Sequence, residues 1–155
     1  MSRSIPENKL KQRLTNTCLE QIAKNISSAE QLLQNIIESK LSDTKSSAGD
    51  KFETSRERLQ AEDDRINAVL MNSKKLEVQL KRLNKSPCNK VEAGAIVITD
   101  KANYFIAIGL GKISIDNKNY YTMSPDAPLS KVMWNKKIGE SFALNNTSQK
   151  IMEIQ

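Results

Sequence analysis

A chain of 155 residues with 38% hydrophobic and only 5% aromatic content can bury only a modest core, which is consistent with one small globular unit plus an extended element. The formal net charge of +6 favours anionic surroundings, although 27% charged residues of both signs is also the make-up of a solvated coiled coil. With no histidine, Ser-His-Asp and Cys-His nucleophiles and histidine-ligated zinc are excluded, so any chemistry must rest on carboxylates and borrowed metal. No apolar run approaches the ~20 residues of a membrane span and the first residues lack a secretory core, which predicts a cytoplasmic protein. Cys18 and Cys88 stand alone, without metal-type spacing, and read as reduced structural thiols.

From the N-terminus, apolar residues recur at Ile22, Ile26, Ala29, Leu33 and Ile36, steps of three and four that predict a helix. After a polar stretch, Ile66, Val69, Leu76, Leu80 and Leu83 repeat the pattern, with Ser73 interrupting it. The two halves mirror one another about Ser46 and Ser47: Leu41 faces Phe52, Leu33 faces Leu59, Ile26 faces Ile66, Ile22 faces Leu70, Leu14 faces Leu80 and Leu10 faces Leu83. This predicts an antiparallel helical hairpin over residues 1–86, a two-stranded seam with its tip near 46–54. Neither Pro nor Gly interrupts the chain between Pro6 and Gly49 or between Gly49 and Pro87. Each arm of roughly 35 residues would run about 50 Å at 1.5 Å per residue.

At residues 84–90 a polar linker with a helix-stopping Pro87 ends the hairpin, and the period changes from helical to extended. Strands are expected at 95–98, 104–108, 113–115 and 120–123, the last two joined by a turn at 116–119. A short helix is expected over 126–134, then a final hairpin pairing 141–144 with 150–154 around Asn145 and Asn146. Gly109-Leu-Gly111 is no phosphate loop, since a strand-like segment follows it. Residues 87–155 therefore predict a small antiparallel sheet domain with one covering helix, and the whole chain is of the α+β class. Tyr104, Phe105, Tyr120 and Trp134 read mainly as its core.

The tip carries Ala48-Gly-Asp-Lys-Phe-Glu-Thr54, and the later segments read Ser124-Pro-Asp-Ala-Pro-Leu129 and Asn135-Lys-Lys-Ile-Gly-Glu140. Together these resemble the bacterial Gre (GreA/GreB) transcript-cleavage factors, whose tip motif is Gly-Asp-x-x-Glu and whose second domain has a Ser-Pro-x-(Ala or Gly) segment. Asp50 and Glu53 fall on the two acidic positions; Asn135 replaces a family glycine, Pro128 is added, and the final hairpin is shortened. The resemblance spans nearly the whole chain and implies a coiled-coil hairpin followed by an FKBP-like domain.

What the resemblance implies for function is an accessory factor, with no enzymatic activity of its own, that enters the secondary channel of RNA polymerase. Asp50 and Glu53 would be its catalytic carboxylates, sharing Mg2+ with the polymerase and stimulating cleavage of backtracked RNA; no intrinsic cofactor is expected. Lys45, Lys51, Arg56 and Arg58 would meet the RNA 3′ segment, or else pair with Glu53, Glu57 or Glu62 on a solvated helix. Ser124, Pro125 and Ala127 would dock on the polymerase, and the protein would act as a monomer away from membranes. A simpler account of Asp50-x-x-Glu53 is a capping arrangement at the start of the second helix, compatible with the first because a cap holds both carboxylates on one turn. Two other functions stay open: a non-cleaving secondary-channel regulator or inhibitor, and a coiled-coil adaptor for an unrelated protein. A prolyl-isomerase pocket among the aromatics, which the FKBP-like resemblance invites, finds little room in so small a domain.

Overall fold

The computed structural model describes residues 7–43 and 49–155, with side chains at 9–42 and 53–155. Two long helices, α1 (Glu7–Asp43) and α2 (Gly49–Lys81), precede four strands, β1 (Ile96–Thr99), β2 (Asn103–Ile106), β3 (Gly111–Ile115) and β4 (Lys118–Met123). A short helix α3 (Pro128–Met133) and the strands β5 (Ser141–Leu144) and β6 (Thr147–Ile154) complete the chain. The α+β class and the helical hairpin followed by a sheet with one helix are as the sequence predicts. Among the described residues no helix is long and apolar enough to cross a membrane.

The chain divides into two compact units, Glu20–Val78 and Met1–Leu19 with Gln79–Gln155. In the first, Ala29, Ile36, Ile66 and Leu70 form a buried seam, with Ile26, Leu33 and Leu59 packed against it. On α2 the buried positions Ile66, Leu70 and Ser73 step by four and three, as a two-stranded seam requires. Two expected seam members lie outside it: Val69 is 47% exposed because Leu70 and Ser73 already occupy the facing stripe, and Leu41 is 60% exposed. Ser73 is itself buried, so the seam carries a hydroxyl where an aliphatic side chain would contribute about 1.5–3 kcal/mol. Nearer the turn, the Lys40 ammonium ties the helices together by donating to Gln60 at 3.1 Å and Asp63 at 3.2 Å. Substituting Ile26 with proline is expected to remove an intrahelical hydrogen bond and cost about 3 kcal/mol or more. Far-UV circular dichroism should register it as a loss of helical signal, and an unchanged spectrum would show that the seam tolerates a break.

The second unit is built on a six-stranded sheet in the order β3-β4-β2-β1-β6-β5. Two of its three β-hairpins turn on Asp116 and Asn117 (φ 51° and 64°) and on Asn145 and Asn146 (φ 50° and 65°). Asp and Asn enter that left-handed region more readily than other residues, and two such residues in succession match the right-handed strand twist. The tight turns lengthen the strands beyond expectation: β4 begins at Lys118 and β6 at Thr147. A fully antiparallel sheet was expected, and one pairing departs from it: β2 and β4 run parallel, Tyr104 opposite Tyr121 and Ile106 opposite Met123. The cause is that residues 107–110 carry the chain past the β4 position to the sheet edge, so β4 returns into the gap beside β2. The Ala107 amide donates to Met123 at 2.8 Å and the Leu110 amide to the Thr122 hydroxyl at 3.0 Å, which fastens that crossing.

One sheet face packs Val97, Tyr104, Ile106, Ile151 and Ile154 against Met133, Phe142, Val91 and Cys88, with Leu129 and Val132 of α3 closing over them. On the other face Ile96, Phe105, Ile113, Ile115 and Tyr120 are buried as well. The first turns of α1 lie at that face, since Arg13 grips Asp116 with a forked pair at 2.6 and 3.0 Å and its charge reaches Tyr120. Lys11, only 2% exposed, donates to the Ser86 carbonyl at 2.8 Å, which gives its buried ammonium an acceptor. Helix α3 is shorter than the expected 126–134. Pro128 fixes its first turn and forces Ala127 into extended backbone (φ −60°, ψ 144°), while Trp134 leaves the helix at ψ 133°.

Candidate functional site at the hairpin turn

The residues at the turn are set by the start of α2. The helix opens at Gly49, so Asp50 lies inside the first turn and not before it. That corrects the capping arrangement expected of Asp50 and Glu53: a carboxylate within the first turn acts on the helix dipole instead of replacing a missing acceptor, worth about 0.3–1 kcal/mol. Three residues apart on a helix, Asp50 and Glu53 share a face. Glu53 is exposed, as are Arg56, Glu57 and Arg58. Lys45 lies outside the described residues, and for Asp50 and Lys51 the backbone position is described while the side chains are not.

The ion pairs expected for the tip cations are not formed by Arg56 or Arg58 among the described residues. Glu62 is taken by Arg65, whose guanidinium donates at 2.5 and 3.3 Å and holds the carboxyl below its usual range. The exposed Glu53 carboxylate can offer oxygen ligands to a hard cation, and the Arg56 and Arg58 guanidinium groups positive charge to a phosphate. Among the described residues no three acidic or cysteine side chains gather into a metal site.

At the other candidate, Ser124, Pro125 and Ala127 are all half-buried and form one turn. The Ser124 carbonyl accepts from the Ala127 amide at 3.1 Å and from the fully buried Ser130 hydroxyl at 2.7 Å. The turn is thus held by main-chain oxygen and by α3, leaving the Pro125 ring and Ala127 methyl as a small apolar step beside exposed Asp126.

Of the four aromatics, Tyr104, Phe105 and Tyr120 are buried, whereas Trp134 is 38% exposed. The Tyr104 and Thr99 hydroxyls both donate to the Gln149 carbonyl oxygen, at 2.9 and 2.7 Å, which satisfies them within the core. The Tyr104 and Tyr121 rings tilt against each other with centroids 6.2 Å apart. These contacts make the tyrosines structural.

Both cysteines are free and buried. Burial pushes the Cys18 thiol up to about 12, and Cys88 is raised by the same cause against the opposing pull of Lys11. Neither is poised as a nucleophile. Because the Cys18 thiol titrates higher folded than unfolded, its contribution to stability is full below the ordinary thiol range. It is lost as pH rises from about 9 towards 12, at up to about 1.4 kcal/mol per pH unit. Urea melts across that range should show a steeper alkaline decline for the parent than for Cys18→Ala, and equal slopes would contradict the burial.

No known protein-family model matches the chain, and no curated protein matches it either. Among solved structures it is similar to the crystal structure of the GreA factor homolog 1 protein of Thermus thermophilus. The likeness has 17% identity over 94% of each chain and a TM-score of 0.34, too low to bear on function.

Proposed function

We propose that this protein is a Gre-type transcription elongation factor that binds RNA polymerase in the cytoplasm and stimulates cleavage of backtracked RNA. The observation that carries the reading is the position of Gly49-Asp-x-x-Glu53 at the start of the second hairpin helix, where positions three apart share a face. The chain's own part is positional: it presents Asp50 and Glu53 at the start of a helix, and Arg56 and Arg58 follow within a turn and a half to meet phosphate oxygens. The oxygen donors suit Mg2+, which Asp50 and Glu53 would hold jointly with the polymerase, and which activates water and offsets charge on a phosphodiester. The polymerase supplies the rest of the centre, so the factor is not an enzyme alone. The decisive experiment is RNA cleavage on a stalled, backtracked elongation complex. Shortened transcripts with the factor present support the reading; slowed nucleotide addition without cleavage replaces it by a non-cleaving regulator.

Docking is assigned to the turn of Ser124, Pro125 and Ala127. Pro125→Asp or Ala127→Asp is expected to weaken polymerase binding at least about tenfold, roughly 1.4 kcal/mol, by placing a desolvated charge in the contact. The domain should stay folded, because the Ser124 carbonyl keeps its bonds from Ala127 and Ser130. Titration against polymerase measures the effect, and unchanged affinity moves the contact elsewhere.

A further inference from the structure

We propose that the sheet unit carries a surface for single-stranded nucleic acid, formed by Trp134 with Lys90, Lys131, Lys136 and Lys137. Two stretches of sequence are basic and free of acid: residues 81–91 hold Lys81, Arg82, Lys85 and Lys90, and residues 127–139 hold Lys131, Lys136 and Lys137, with no Asp or Glu in either. The fold lays them side by side. The Val91 amide donates to the Lys136 carbonyl and the Asn135 amide to the Val91 carbonyl, both at 2.9 Å, so Lys90 adjoins the 135–137 segment. Helix α3 turns Ser130 and Met133 inward, with Leu129 and Val132 against the core, which leaves Lys131 and Trp134 together on its outer side.

Lys90, Lys131 and Lys137 are exposed and Lys136 is half-buried, and none of the four is in an ion pair among the described residues. An indole 38% open to solvent stands among them, with Ile138 59% exposed on the following turn. Flanked by Glu92, Asp126 and Glu140 but joined to none of them in an ion pair among the described residues, these four like charges repel one another, and a chain of evenly spaced anions relieves that repulsion. The indole decides which polyanion fits. A base can stack on it whatever the sequence, whereas an acidic polypeptide offers charge without a flat partner and a duplex hides its base faces. The surface therefore suits the unpaired strand, and it lies outside the hairpin turn and needs no polymerase.

Trp134 is the sole tryptophan, so its emission reports on this surface alone. The full chain, titrated with an oligouridylate of roughly ten nucleotides, should show quenched emission and binding that weakens with salt. Three or four phosphate contacts predict a log–log slope of about −2 to −3. Lys136→Glu with Lys137→Glu should weaken binding by about tenfold or more, and Trp134→Ala should weaken it by a similar factor in the anisotropy of a labelled oligonucleotide. Both variants should keep the parent's circular dichroism. If Trp134→Ala does not fold, Trp134→Phe with the lysine pair decides, since the ring-bearing variant must then bind and the charge-reversed one must not. Absence of quenching at low salt overturns the proposal. So does equal affinity for polyglutamate, which assigns the surface to an acidic protein, or equal affinity for a blunt duplex, which removes the role of stacking. The protein is tested alone, so failure here leaves the cleavage assay untouched.

Discussion

Gly94→Ala is expected to destabilise the sheet unit by about 3 kcal/mol or more, a large fraction of the stability of a domain of this size. Gly94 adopts φ +93°, and a Cβ built there would lie 2.4 Å from the Asn84 carbonyl oxygen. No side chain can swing away to relieve that contact, because the obstacle is backbone. Both sides are held. The Gly94 amide donates to the Ile106 carbonyl at 2.7 Å, the Ile106 amide returns a bond to Ala95 at 2.9 Å, and the Asn84 side chain accepts from the Ser86 amide at 3.0 Å. Gly111→Ala separates strain from collision: its φ is +84°, yet nothing stands within 4 Å of the added methyl. It should cost only about 1–2 kcal/mol, the penalty of the left-handed backbone by itself. Urea denaturation of the two variants gives the comparison. Equal losses would mean that residues 84 and 94 can move apart freely.

That collision illustrates why only part of the fold was legible in the sequence. The helical hairpin was, because a seam repeats every three and four residues and its mirror partners lie on one line. The turns at Asp116-Asn117 and Asn145-Asn146 were legible for a local reason, since those residue types tolerate positive φ. What escaped were contacts between distant segments. The parallel pairing of β2 and β4 depends on a four-residue crossing that carries no distinctive residue apart from Gly109, and nothing local to Gly94 shows that Asn84 stands above it. Val69 fits the helical period as well as Leu70 does, and only the orientation of the facing helix excludes it. For the candidate site, the spacing of Asp50 and Glu53 was plain from the motif, but their place relative to the helix start was not. Helix boundaries depend on which carbonyl accepts the first bond, and a capping residue and a first-turn residue have similar compositions. The neighbourhood of Lys90 and Lys136 had no local signal at all, as two main-chain hydrogen bonds, from Val91 to Lys136 and from Asn135 to Val91, create it between segments distant in sequence.

On the proposed function, Asp50→Asn and Glu53→Gln should each reduce stimulated RNA cleavage by on the order of 10–100-fold while leaving polymerase affinity nearly unchanged. Losing a partner that merely orients a metal ligand typically costs that much, so losing a direct carboxylate ligand should cost no less. Each amide keeps the volume and most hydrogen-bonding atoms of the acid it replaces; what disappears is the charge that, on this proposal, would retain Mg2+. Raising the Mg2+ concentration should therefore recover part of the activity, a response that a general loss of folding would not give. Helix stability should fall only slightly, because Asp50 within the first turn contributes about 0.3–1 kcal/mol through the dipole and α2 continues to Lys81. Glu57→Gln supplies the control: it is exposed, lies one turn beyond Glu53, about 6 Å along the axis, and should retain most of the activity. Cleavage that survives both tip substitutions would reduce the carboxylates to charges that favour the helix terminus. A loss at Glu57 equal to that at Glu53 would instead move the reacting centre one turn along α2.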